Sequence, residues 1–161
     1  MRNIWREVLP QKETHVSTPN LAPSPIPHPL IIPGFRYRNA PAAIEWLCNA
    51  FGFSRHAVYP GDNGTIAHAQ LLFGNSMIML GSVRDGGISH LLKHPDQLDG
   101  ASTLSLYVIV PDADDHYARA KSAGAVIVRD IQDEDYGGRG YTCRDLESYL
   151  WSFGTYNPWS V

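Results

Sequence analysis

Residues 139–156 read Arg139-Gly-Tyr-Thr-Cys-Arg-Asp-Leu-Glu-Ser-Tyr-Leu-Trp-Ser-Phe-Gly-Thr-Tyr156. Thr, Tyr, Trp and Phe favour a pleated, half-buried surface, and Asp and Ser favour turns. The stretch predicts a hairpin, with Tyr141 to Arg144 as one arm, Asp145 to Ser148 as the turn and Tyr149 to Phe153 as the other arm. Successive side chains alternate across a strand. Leu150 and Ser152 therefore share one face, and Trp151 and Phe153 the other. Two large aromatics on one face call for a helix to pack against. The Ser152 face is left to line something else.

The design occurs earlier as well. Ile66-Ala-His-Ala-Gln-Leu-Leu-Phe-Gly-Asn-Ser-Met-Ile-Met-Leu-Gly81 is again strand, turn, strand and glycine. Laid over the later copy, Gly81 falls on Gly154, Met79 on Ser152 and His68 on Tyr141. The offset of about 73 residues exceeds a solenoid period, which points to one duplicated module and not an array. A strand and helix precede each hairpin, at Phe35 to Gly52 and again at Ser105 to Gly124. Asn39 caps the first helix, with Pro41 in its first turn, where a missing N–H costs nothing. Ile44, Leu47, Cys48 and Phe51 form its apolar stripe, and Gly52 ends it. Asp112 caps the second helix with Asp115 three residues on, Tyr117 and Ala120 lie on its buried face, and Gly124 ends it. Each module thus reads strand, helix, three strands. This predicts an α+β fold of two βαβββ modules with mixed sheets around a cleft and helices outside.

A length of 161 residues suits one domain with a sizeable core. Hydrophobic residues at 43% and charged residues at 18% fit an ordinary globular chain. The net charge of −3 argues against nucleic acid as partner, because such binding needs a basic surface. No apolar run is long enough to span a bilayer, and the N-terminus lacks a signal-peptide core. Cys48 and Cys143 are not spaced as metal ligands, which places the protein in a reduced, cytoplasmic setting. Half of the 12 prolines fall between Pro19 and Pro33. Residues 1–29 are accordingly set apart as a proline-rich arm, either disordered or lying on a partner. The folded domain is expected over 30–158, with module 1 at 30–84, a linker at 85–102 and module 2 at 103–158. His90 and His94 stand four apart in that linker, but no acidic residue completes a catalytic zinc pair there.

The duplicated order resembles the vicinal oxygen chelate superfamily, which includes glyoxalase I, extradiol dioxygenases, fosfomycin-resistance transferases and bleomycin-resistance proteins. The resemblance is carried by Arg38-Asn-Ala-Pro-Ala-Ala-Ile-Glu-Trp46, Phe51-Gly-Phe53, Ala123-Gly-Ala125 and Arg144-Asp-Leu-Glu-Ser-Tyr-Leu-Trp-Ser-Phe-Gly154. The last of these looks like the family's aspartate-proline-acid-glycine turn, with Leu146 and Ser148 as departures. In metal-using members the ligands project from the first and last strands of the modules. By that resemblance they would fall near Ile32, Met79, Ser105 and Ser152. None of these is a histidine or carboxylate, and hydroxyls alone do not hold a divalent ion. The resemblance therefore implies no metal and no cofactor, closest to the metal-free bleomycin-resistance-like group. It also implies a homodimer, because members often build each cleft from two chains.

The residues left to bind a small molecule are Arg36, Arg38, His68, Gln70, Tyr107, Tyr141 and Ser152. Arg36 and Arg38 either clamp an acidic ligand or pair with surface carboxylates. His68 is either a structural hydrogen-bonder or a general base. Cys143 reads as core, since nothing near it would lower its pKa. No catalytic residue is assigned. The expectation is a metal-free binding protein that sequesters an aromatic or antibiotic-like molecule. The alternative is a glyoxalase-like lyase or isomerase, or a dioxygenase-related enzyme.

Overall fold

The structure is a computed structural model that describes residues 29–160. All but the last residue of the predicted arm lies outside the described residues. Two sheets of four strands carry the fold. Sheet A holds β1 (Gly34–Tyr37), β2 (Ser54–Pro60), β3 (Ile66–Phe73) and β4 (Ser76–Ser82) in the order β1-β4-β3-β2. Sheet B holds β5 (Leu106–Ile109), β6 (Val126–Asp133), β7 (Arg139–Arg144) and β8 (Leu150–Gly154) in the order β5-β8-β7-β6. In each sheet the first strand pairs parallel with the last, and the remaining pairs are antiparallel. The α+β architecture of two βαβββ modules is therefore the one the repeat predicts.

The helices begin and end where their caps dictate. α1 (Ala40–Phe51) opens with Asn39 Oδ1 accepting from Ala42 N at 3.2 Å. It closes at Gly52, whose φ of 82° is left-handed and costs glycine nothing. α2 (Ala113–Ser122) opens with Asp112 Oδ1 accepting from Asp115 N at 2.9 Å. Its buried side chains are Ala113, His116 and Ala120, with Tyr117 half-buried. Tyr117 packs against the core as expected, and His116 joins it there. Pairing in β1 starts at Gly34, and Leu30, Ile31 and Ile32 before it are exposed.

Trp151 and Phe153 are fully buried, as the hairpin reading requires. Their contacts show how the modules join. Phe35 of β1 stacks on Trp151 at 5.1 Å, Phe53 meets the same ring at 5.9 Å, and Phe51 meets Phe153 at 4.7 Å. The helices are not separate outer layers. Trp46 Nε1 of α1 donates to Ala123 O beyond α2 at 2.7 Å, and Arg119 Nε of α2 donates to Ala50 O at 3.1 Å. One continuous core results, built from the inner face of each sheet and both helices. The opposite face of each sheet is left open. None of the described hydrogen bonds or aromatic contacts joins the open face of sheet A to that of sheet B.

Candidate ligand-binding surfaces

Strand alternation decides what each open face presents. On sheet A, Ala69 and Leu71 of β3 and Ile78 and Leu80 of β4 point to the core. His68, Gln70, Met77 and Met79 therefore point outward and are half-buried. Gln70 Nε2 lies 3.2 Å from His68 Nε2. An amide nitrogen only donates, so His68 Nε2 is the acceptor in this arrangement. Tyr59 of β2 stacks beside the same imidazole, with ring centroids 6.0 Å apart. On sheet B the open face carries Tyr107, Ile109, Thr142 and Ser152, with the Thr142 and Ser152 hydroxyls 3.0 Å apart.

Tyr141 is a correction. It is fully buried on the core face, where its hydroxyl meets His116 Nδ1 at 2.7 Å. The cause is a difference in turn length. Gln70 pairs with Met79 in module 1 and Thr142 with Ser152 in module 2, so the second hairpin is one residue longer. A fixed offset slips the register by one on β7, and a one-residue slip moves every side chain to the other face. Tyr141 corresponds to buried Ala69 and not to His68.

The arginines go elsewhere. Arg36 and Arg38 line a groove of about 460 Å³ between β1, the residues following β4, and Tyr149. Arg38 is bound in a bidentate pair with Asp96, both contacts at 2.8 Å. That pair holds the guanidinium more firmly protonated, while Arg38 keeps Asp96 below its usual value. A second groove, of about 410 Å³, runs along edge strand β5 and is lined by Phe53, Phe73, Met77, Tyr107, Ile109 and Trp151 among others. The seven predicted residues therefore divide. Two lie at the charged groove, two on sheet A's face, two on sheet B's face and one in the core.

His90 and His94 do not share a helix face. The 3-10 turn Ser89–Leu91 ends before His94, which caps the next turn, Pro95–Leu98. His94 is buried between carboxylates, with Nε2 2.7 Å from Glu147 Oε2 and Nδ1 3.0 Å from Asp96 Oδ1. Glu147 also accepts from the backbone N–H groups of Arg38 and Asn39, at 2.7 and 2.8 Å. Its neighbour Asp145, read from sequence as a turn former, is a buried hub. It accepts from Tyr37 Oη at 2.6 Å, Trp151 Nε1 at 3.1 Å, and the N–H groups of Glu147 and Tyr149 at 3.0 Å each. Burial pushes its carboxyl pKa up, and these hydrogen bonds oppose the shift. A buried Tyr or Trp needs a partner for its polar tip, and that need was the available signal. Cys143 is core as expected, with burial pushing its thiol to about 12.

The metal positions implied by the resemblance supply poor donors. Met79 and Ser152 do reach the open faces, but they offer a thioether and a hydroxyl. Glu134, unremarked in the sequence, brings a nearly buried carboxylate over sheet B's open face. A Cβ built on Gly140 would sit 3.6 Å from its Oε1. That carboxylate is engaged by Arg129 Nη1 at 2.5 Å. Among the described residues no group of three or more His, Cys, Asp or Glu is arranged to hold a metal ion. This donor set does not fit a divalent ion, which wants several imidazole or carboxylate ligands at one point.

Comparison with known proteins agrees with the architecture. Residues 26–153 match the family model described as the Glyoxalase/Bleomycin resistance protein/Dioxygenase superfamily. An uncharacterized protein of Mycobacterium bovis is 27% identical over 126 residues, covering 78% of this chain and 82% of that one. Among solved structures, TioX from Micromonospora sp. ML1 is 32% identical with a TM-score of 0.61, covering 77% of this chain and 93% of that chain. The fosfomycin resistance protein FosX from Mesorhizobium loti shares the fold at 14% identity and a TM-score of 0.57, covering 84% and 98%.

Proposed function

We propose, from the premise that this chain belongs to the Glyoxalase/Bleomycin resistance protein/Dioxygenase superfamily, that it is a metal-free protein that binds and sequesters a planar, aromatic small molecule. The observation that carries this reading is the groove along β5. Its volume of about 410 Å³ and its walls of Phe53, Phe73, Met77, Tyr107, Ile109 and Trp151 suit a drug-sized apolar ligand with few polar anchors. Tyr107 Oη already donates to Tyr156 O at 2.9 Å, so the ring is held in place before any ligand arrives.

The protein acts as a homodimer in this reading. Among the described residues no hydrogen bond or aromatic contact joins the two open sheet faces, so in this reading a second copy encloses a cleft with sheet A's His68 and Gln70 on one wall and sheet B's Thr142 and Ser152 on the other. Both cysteines are free, consistent with action in a reducing cytoplasm. Among the described residues no helix is long and apolar enough to cross a membrane.

A thermal-shift screen of neutral two-ring aromatics tests the proposal, run beside light scattering for the oligomer. At a hundredfold excess over Kd a ligand adds about 2.7 kcal/mol of stability, a rise of several degrees that Tyr107→Ala should reduce. Stoichiometric bound metal, or turnover abolished by a chelator, would favour the lyase or isomerase reading instead.

A further inference from the structure

The charged groove contains two guanidiniums and an ammonium with no carboxylate partner among the described residues. Arg36, Arg84 and Lys93 line it, and none of them appears in an ion pair or side-chain hydrogen bond there. Asp85 is the one uncommitted acid on the lining. The other charged groups present are engaged: Arg38 with Asp96, and His94 with Asp96 and Glu147. Arg36 is half-buried, and its pKa is lowered, first by burial and then by the charge of Arg84. Two like charges held near each other in a concave, partly desolvated site are unfavourable until an anion joins them.

The local backbone accommodates Arg36 in this pose. Gly81 is opposite Arg36 in the β1–β4 register. A Cβ built on Gly81 would sit 2.5 Å from Arg36 Nη1, so the glycine leaves room for the guanidinium to lie across the sheet. Module 2 repeats the device with a different outcome. A Cβ on Gly154 would sit 2.7 Å from Tyr107 Oη, but that hydroxyl has its acceptor in Tyr156 O. Arg36 has the same kind of seat and, among the described residues, no side-chain acceptor.

We propose that the groove binds the oxyanion of a small acidic molecule, a carboxylate or a phosphate ester, between the guanidiniums of Arg36 and Arg84, with Lys93 as a third cation. A guanidinium presents parallel N–H donors that match either oxyanion. The groove's volume of about 460 Å³ holds the body of such a molecule beside Tyr149 and Leu92. This groove is separate from the one along β5, so the two readings stand or fall independently.

The test titrates inorganic phosphate and, separately, benzoate into the isotope-labelled full chain at constant ionic strength, with arginine Nε and backbone amide shifts as readout. Saturable shifts at Arg36, Arg84, Gly86 and Gly87 are expected, and whichever anion saturates names the ligand class. Arg84 lies on an exposed segment, so Arg84→Gln keeps the fold, and it should raise Kd about tenfold or more. Gly81→Ala should weaken binding by displacing Arg36. Arg55→Gln, whose guanidinium pairs with Glu45, should leave binding unchanged. Shifts that saturate with neither anion, or a Kd that Arg84→Gln does not alter, overturn the proposal. In that event a neutral aromatic that still stabilises the protein leaves the β5-groove reading intact. Phosphate binding without any aromatic response has the reverse meaning.

Discussion

Module 1 and module 2 share a scaffold and differ in what they do with it. Their strand orders match element for element, and each has a glycine at the end of its last strand that seats a long side chain from the first. The hairpin turns diverge. Module 1 turns between Phe73 and Ser76 through Gly74 and Asn75, both exposed. Module 2 turns between Arg144 and Leu150, and that longer loop reaches across the chain. Its Asp145 takes the Tyr37 hydroxyl, and its Glu147 takes the N–H groups at the start of α1. The longer turn therefore fastens module 1 as well as reversing the chain. One module has a plain turn, and the turn of the other is the clasp between them.

The largest expected effect tests that asymmetry directly. Asp145→Ala leaves two buried donors, Tyr37 Oη and Trp151 Nε1, without an acceptor, at about 1–3 kcal/mol each. A total loss of about 3–5 kcal/mol is expected in urea unfolding. Asn75→Ala, in the corresponding turn of module 1, should stay within about 0.5 kcal/mol. Equal costs at the two turns would break the comparison.

A second difference lies on the helices. Counting four residues from each cap, α1 has Ala43 and α2 has His116, and both are buried. His116 Nε2 is 3.0 Å from Phe51 O, so it must donate there, and Nδ1 accepts from the Tyr141 hydroxyl. The imidazole is thereby held neutral, and burial lowers its pKa from 6.5 to about 4. The folded pKa lies below the unfolded one, so the unfolded chain binds the extra proton between those values. Stability should accordingly rise with pH across this window, and it is lost as pH falls from about 6.5 toward 4. The contribution is at most about 3 kcal/mol. His116→Gln should flatten the pH dependence of unfolding between about pH 4 and pH 6.5. An unchanged slope would count against a neutral His116 held between Phe51 O and Tyr141.

The smallest effect separates the two glycine seats. Gly154→Ala and Gly81→Ala each overpack a closed site, costing about 1–3 kcal/mol. At Gly154 the nearest atom is the far end of Tyr107, with Arg139 O at 3.2 Å. Adding Tyr107→Ala should therefore restore most of the loss. At Gly81 the Ala67 carbonyl stands 3.0 Å from the added carbon, so adding Arg36→Ala should restore less. Double-mutant cycles by thermal unfolding measure the difference.

Much of this protein was legible from local chemistry. Asn39, Pro41 and Gly52 delimit α1 because capping and left-handed φ are local requirements, and they fall where the helix begins and ends. The alternation of Trp151 and Phe153 with Leu150 and Ser152 assigns faces within one strand, and those faces hold. The repeat itself announces the duplicated architecture. Tertiary structure decided whatever depends on two distant segments meeting. Tyr141 was misplaced because one extra residue in a turn inverts a strand's faces, and only the paired partner strand shows the slip. Arg36 and Arg38 look alike in sequence, yet Asp96 neutralises one, and nothing among the described residues neutralises the other. Arg84 gains its interest from lining the same groove as Arg36. Periodicity and caps act over a few residues, so a chain carries them in plain order. Charge neutralisation and buried hydrogen bonds act through space, and the fold alone determines which residues they join.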